Sequence, residues 1–121
     1  MTNYNKREFG SKGEELAVNF LTKLGYEIIE QNYHFGHGEI DIIAKDVKKN
    51  HLVFVEVKSR KNDEFGPPEL AVTPSKQRQL RKIASAYLYE KEISDIDCRM
   101  DVIAIEFQHK PPLINHIENA F

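Results

Sequence analysis

Two carboxylates and an ammonium lie inside segments whose composition is that of buried strands. Gly38-Glu39-Ile40-Asp41-Ile42-Ile43-Ala44 and Leu52-Val53-Phe54-Val55-Glu56-Val57-Lys58-Ser59-Arg60 are both rich in Val, Ile and Phe, as strands covered on both faces are. An unpaired ion in such surroundings costs several kcal/mol. Asp41, Glu56 and Lys58 therefore call for a partner. Two carboxylates beside an ammonium suit a divalent cation with a bound water.

Strand geometry brings these groups together. Residues two apart share a face, so Glu39 joins Asp41 and Glu56 joins Lys58. The polar stretch Lys45-Asp46-Val47-Lys48-Lys49-Asn50 reads as a hairpin connection. A turn centred on Lys48-Lys49 sets Asp41 opposite Glu56 and Glu39 opposite Lys58. Neighbouring strands lie about 4.8 Å apart, and magnesium takes oxygen ligands at about 2.1 Å, so the facing carboxylates can share one ion.

The elements that must hold this hairpin are also readable. Ser11 and Glu14 have the spacing of a capping box, opening a helix that runs to about Leu24 with Ala17, Phe20, Leu21 and Leu24 inward and Gly25 as its stop. Strands are expected over about 26–35, 39–45 and 51–60, then a loop over 61–73. Thr73-Pro74 caps and opens a second helix with Leu80, Ile83, Ala84, Tyr87 and Leu88 inward. Strands over about 99–107 and 113–117 follow. The first three strands pair as a meander, and the second helix is a crossover that sets the fourth strand parallel to an earlier one. The fold class is α/β, a mixed sheet flanked by helices in the order helix, three strands, helix, two strands.

Composition bounds the class. The chain has 121 residues, with 40% hydrophobic and 30% charged, which fits one soluble domain. The single cysteine, Cys98, excludes an internal disulfide. No apolar run reaches the roughly 18 residues of a membrane span, and the first residues lack a signal-peptide core; a cytoplasmic protein is expected. The net charge is −2 but is unevenly spread. Residues 1–44 carry −3, residues 45–91 carry +5 and residues 92–121 carry −4. A basic segment containing Glu56 and Lys58 fits a phosphate-binding face, to which Arg60, Lys61, Lys76 and Arg78 contribute. Lys76 also lies at a helix start, where backbone amides favour anions. Arg99 and Asp101 alternate inward with Ile103 and Ile105 and read as a supporting salt bridge. Glu39 is expected to pair with Lys58 or Arg99.

A first-helix Glu, an Asp on one hairpin strand and Glu-x-Lys on the next resemble the PD-(D/E)xK nuclease superfamily, whose fold is restriction-endonuclease-like. Within it, Gly38-Glu39-Ile40-Asp41 and Phe54-Val55-Glu56-Val57-Lys58-Ser59-Arg60, together with Gly10, Gly13, Glu14, Ala17, Asn32, Phe65-Gly66, Lys76 and Arg99-x-Asp101, resemble the YraN-like family, similar in form to archaeal Holliday junction resolvases. His34 stands where that family often carries Arg. The resemblance implies Mg²⁺ or Mn²⁺ on Asp41, Glu56 and the backbone carbonyl of Val57, with Lys58 orienting the attacking water and Glu14 as a further ligand or base. It implies an endonuclease hydrolysing DNA phosphodiesters, branched DNA included, and a homodimer by analogy with the resolvases. The alternative is a catalytically inactive nucleic-acid-binding or assembly module on the same fold; a protein-interaction subunit is a third reading.

Overall fold

The structure, a computed structural model, describes residues 6–61 and 72–121. The elements run α1 (Lys6–Lys23), β1 (Glu27–Phe35), β2 (Gly38–Asp46), β3 (His51–Arg60), α2 (Pro74–Glu90), β4 (Asp97–Glu106) and β5 (Leu113–Ile117). The expected loop, with Phe65-Gly66, lies almost wholly outside the described residues. The strands form one sheet in the order β1-β2-β3-β4-β5. Every neighbouring pair is antiparallel except β3 and β4, which are parallel across the α2 crossover. The β2–β3 ladder runs from Ile42↔Val55 to Asp46↔His51, the register of a turn centred on Lys48-Lys49.

The sheet is covered on both faces, which explains why β2, β3 and β4 are apolar almost throughout. Beneath α1, Ala17 and Leu21 pack on Ile42, Ala44, Val53, Val55, Ile103 and Ile105. Beneath α2, Leu80, Ile83, Ala84 and Tyr87 pack on Tyr33, Ile40, Ile43, Leu52, Phe54 and Val102. α2 starts as expected: Thr73 Oγ1 accepts the Lys76 N–H at 3.2 Å, and Pro74 occupies the first helical position. Among the described residues no helix is long and apolar enough to cross a membrane.

α1 departs from expectation at its start and at one inward position. The helix is already formed at Lys6, so Ser11 is an exposed residue inside it and not its N-cap. The spacing that suggested a capping box has a tertiary use instead, because Glu14 is engaged by Asn32. Leu24, expected inward, is 46% exposed. It lies where the helix unwinds: the Tyr26 N–H reaches Leu21 O and the Gly25 N–H reaches Thr22 O, both at 3.0 Å, a Schellman ending. Gly25 takes φ +92°, a left-handed conformation that glycine adopts without penalty.

Gly13 sets the distance between α1 and the sheet. A Cβ there would collide with Ser59 Oγ and lie 3.3 Å from Ser59 Cβ. Gly13→Ala is expected to cost roughly 1–3 kcal/mol through overpacking, read as a lower urea midpoint with an unchanged slope. Adding Ser59→Gly should restore most of the loss; equal midpoints for Gly13→Ala and the unsubstituted protein would refute the close approach.

Candidate active site

The site lies where β2 and β3 part. Their backbone ladder ends at Ile42↔Val55. On the other side of β2, Gln31 pairs with Ile42 and Tyr33 with Ile40, leaving Asn32 and Asp41 out of the ladder. Asn32 has φ +53°, a left-handed conformation that asparagine tolerates better than most residues. Strict alternation breaks in β2 at this point. Ile40 enters the core under α2 while Ile42 enters the core under α1, and Asp41 turns towards β3. Its Oδ2 accepts the Val57 N–H at 2.8 Å, standing in for the backbone acceptor that the parted strand no longer supplies.

This brings Asp41 against Glu56, which is 6% exposed. Burial, followed by the Glu56 charge, pushes the Asp41 carboxyl up to about 8, against the Val57 hydrogen bond that favours its ionised form. Two acids so placed hold one negative charge between them unless a cation joins them. Lys58 is the cation at hand: its Nζ lies 3.7 Å from Glu56 Oε2, with the Lys58 side chain 38% exposed. A strand residue directs its N–H and C=O to the same neighbour. The Val57 carbonyl therefore opens onto the side on which its N–H meets Asp41.

Asn32 gathers a second carboxylate pair. Its Nδ2 donates to Glu14 Oε1 at 2.9 Å and to Glu39 Oε2 at 3.0 Å. Burial raises the Glu14 carboxyl above its usual range; the Asn32 hydrogen bond opposes this, and the charges of Asp41 and Glu39 add to it. Glu14 and Asp41 thus belong to one electrostatic cluster. Glu39 pairs with Asn32 rather than with Lys58 or Arg99 as expected. Asn32 is the residue to which sequence reasoning assigned no role; its signal was an asparagine able to adopt a left-handed kink beside an acid.

Arg99 and Asp101 form the expected salt bridge, on the α1 side and away from Glu56 and Lys58. Arg99 Nε and Nη2 grip both Asp101 oxygens at 2.9 Å. Nη1 reaches Asp46 Oδ2 at 3.0 Å, and Nη2 reaches the Tyr26 hydroxyl at 2.6 Å. His116 Nε2 lies 2.7 Å from Asp101 Oδ2. Burial alone would raise the Asp101 carboxyl, but the hydrogen bonds from His116 and Arg99 and from the Asn119 N–H hold it below its usual range. This network ties β2, β4 and β5 together.

The basic residues divide. Lys61 and Arg78 are exposed and Lys76 is half-buried at the start of α2. Arg60 is 8% exposed and lies in register with Glu106 on β4, so it is part of the sheet and not of an exposed basic face. Strand alternation could not reveal this, because Glu106 joins through the distant parallel strand.

The Asp41–Glu56 pair fits a hard divalent cation in donor type and in its excess of negative charge. Among the described residues no group of three or more His, Cys, Asp or Glu is gathered to hold a metal ion. The donor set on offer is thus two carboxylates and the Val57 carbonyl, with water completing the shell as magnesium prefers.

Relatives span the same unit. The chain is 49% identical to a UPF0102 protein of Geobacter metallireducens over 121 residues, covering 100% of this chain and 97% of that protein. It is 50% identical over 118 residues to one of Geotalea daltonii, covering 97% and 91%, and 44% identical over 119 residues to one of Caldicellulosiruptor saccharolyticus, covering 97% and 99%. The model of the uncharacterised protein family UPF0102 matches residues 13–105, from the glycine that meets Ser59 to the last core isoleucine of β4. With that span matched and these identities along its whole length, the chain belongs to the UPF0102 family.

Proposed function

We propose that the protein is a metal-dependent phosphodiesterase acting on DNA, a nuclease of the PD-(D/E)xK superfamily. The observation that carries this reading is the Asp41–Glu56 pair, closed on one side by the Val57 backbone and on the other by Lys58. A cation bound by Asp41, Glu56 and the Val57 carbonyl supplies a Lewis acid for a phosphate oxygen and a water of lowered pKa. Lys58 stabilises the charge that builds on the phosphate oxygens and orients the attacking water. Glu14, raised in pKa and next to Asp41 in the cluster, accepts a proton through water.

Purified protein is assayed on labelled duplex, flapped and four-way DNA with Mg²⁺ or Mn²⁺. Cleavage is expected, with Asp41→Ala and Lys58→Ala each reducing it about 100-fold or more. Cleavage that persists in both variants overturns the reading. A binding module without hydrolysis is the second reading. It is favoured by α2, which carries Lys76, Arg78, Arg81 and Lys82 against a single acid, Glu90. Salt-dependent DNA binding without metal uptake in calorimetry selects it.

A further inference from the structure

Between β1 and α2 lies a groove of about 600 Å³ whose walls are almost entirely apolar. Tyr33, Phe35, Ala86 and Tyr89 form it, with Ser85 and Lys82 on its α2 side. Tyr89 is 89% exposed and Phe35 47% exposed. Two large aromatic faces offered to water on one patch mark a binding surface. Nothing in the cores uses them: Tyr33 and Tyr87 stack edge-to-face inside, and Tyr89 points away.

The charge around the groove selects the occupant. Lys82 lines it and Arg78, four residues earlier, shares that side of the helix; both are exposed, as is Arg81. Among the described residues the one acid in the wall is Glu90, whose Oε2 accepts the Tyr33 hydroxyl at 3.0 Å. Aromatic faces flanked by cations suit a chain of nucleobases on a phosphate backbone, because every base presents a π-face and the cations take the phosphates. Bases stacked within a duplex have no free face to offer.

β1 and β2 link the groove to the cluster. Phe35 pairs with Gly38 and Tyr33 with Ile40, and Asp41 follows. Gly38 and Asp41 are about 10 Å apart along the strand. We propose that this groove seats an unpaired nucleotide of the nucleic-acid strand, its base on Tyr89 and Phe35 and its phosphate on Lys82 and Arg78. The proposal deepens the phosphodiesterase reading, on which it rests for the substrate class: a strand with unpaired bases next to the cleavage position.

The test is fluorescence anisotropy with a labelled short oligothymidylate and a blunt duplex of equal length, in EDTA so that nothing is cut. Tyr89→Ala and Phe35→Ala are each expected to weaken oligothymidylate binding about tenfold and to change duplex binding less than about twofold. Lys82→Ala should reduce the salt slope by about one. The exposure of Tyr89 makes its removal harmless to the fold, which circular dichroism checks. Unchanged oligothymidylate affinity in both aromatic variants overturns the proposal. So does a dimer in sedimentation that Tyr89→Ala dissolves, which would give the groove to a second copy of the chain. Loss of the oligonucleotide in the aromatic variants of a protein that cuts no DNA upholds the groove and discards the hydrolase reading alone.

Discussion

At pH 8.5, Asp41→Asn is expected to melt several degrees above the unsubstituted protein and to cut no DNA. Both effects come from one contact. The Asp41 carboxyl titrates at about 8 in the folded chain against an ordinary 3.8, because burial and Glu56 disfavour its charge. Between those values the folded state holds a proton that the unfolded chain has released. The contribution of Asp41 to stability therefore falls as pH rises from about 4 to about 8 and is level beyond. Asparagine keeps an oxygen to accept the Val57 N–H and carries no charge beside Glu56. Half of the displacement is worth roughly 2–3 kcal/mol, on the order of 10 °C in a domain of this size. The gap between variant and parent should be small at pH 4.5 and widest at pH 8.5. Millimolar Mg²⁺ or Mn²⁺ should raise the parent's melting point by mass action and leave the variant's unchanged. A variant that melts below its parent at pH 8.5 would show that no charge conflict exists at this pair.

Arg99→Met is expected to have the opposite and larger effect on stability. It leaves Asp101, 0% exposed, and Asp46, 6% exposed, without their cation. Removing one partner of a buried ion pair costs about 3–5 kcal/mol, to which the lost hydrogen bond to Tyr26 adds. Chemical denaturation should show this as a large fall in midpoint. The acid limb changes as well. Burial works against the charged forms of Asp46 and Asp101, and the hydrogen bonds around each, those from Arg99 among them, outweigh it and hold both carboxyls below their usual range. Their stabilisation is present above the ordinary carboxylate pKa of about 3.9 and is lost as pH falls through the lower folded values. In Arg99→Met that acid-dependent loss should shrink, chiefly at Asp46, where the Arg99 hydrogen bond is the largest of the lowering contacts, while His116 and the Asn119 N–H still hold Asp101. A midpoint within about 1 kcal/mol of the parent would mean that the network behaves like a surface ion pair.

The hairpin was the most legible part of the molecule. Its register follows from the polar stretch around Lys48-Lys49 and from two apolar strands of period two. α2 was legible because Thr73-Pro74 combines a cap with a first-turn proline. The facing of Asp41 and Glu56 could be anticipated, but its cause could not. Alternation from Ile43 and Phe54, which pair across the hairpin, puts Asp41 and Glu56 on one face, but it gives no sign that Asn32, in a left-handed conformation, leaves the ladder beside Asp41. The start of α1 was misread because Ser11 and Glu14 have a local spacing whose real partner, Asn32, lies in another element. His116 gave no signal as the partner of Asp101, since that contact arises only once β5 pairs with β4.

The parallel pairing of β3 with β4 governs when this fold can form. β4 gives Val102 to one core and Ile103 and Ile105 to the other. A nascent chain still missing those residues lacks part of the wall of both cores, however well its first hairpins zip. Local ribbons form early, and closure over the longest stretch of chain comes late. Folding is therefore tied to the arrival of β4, and the acidic pair is held in place only once that strand has joined β3.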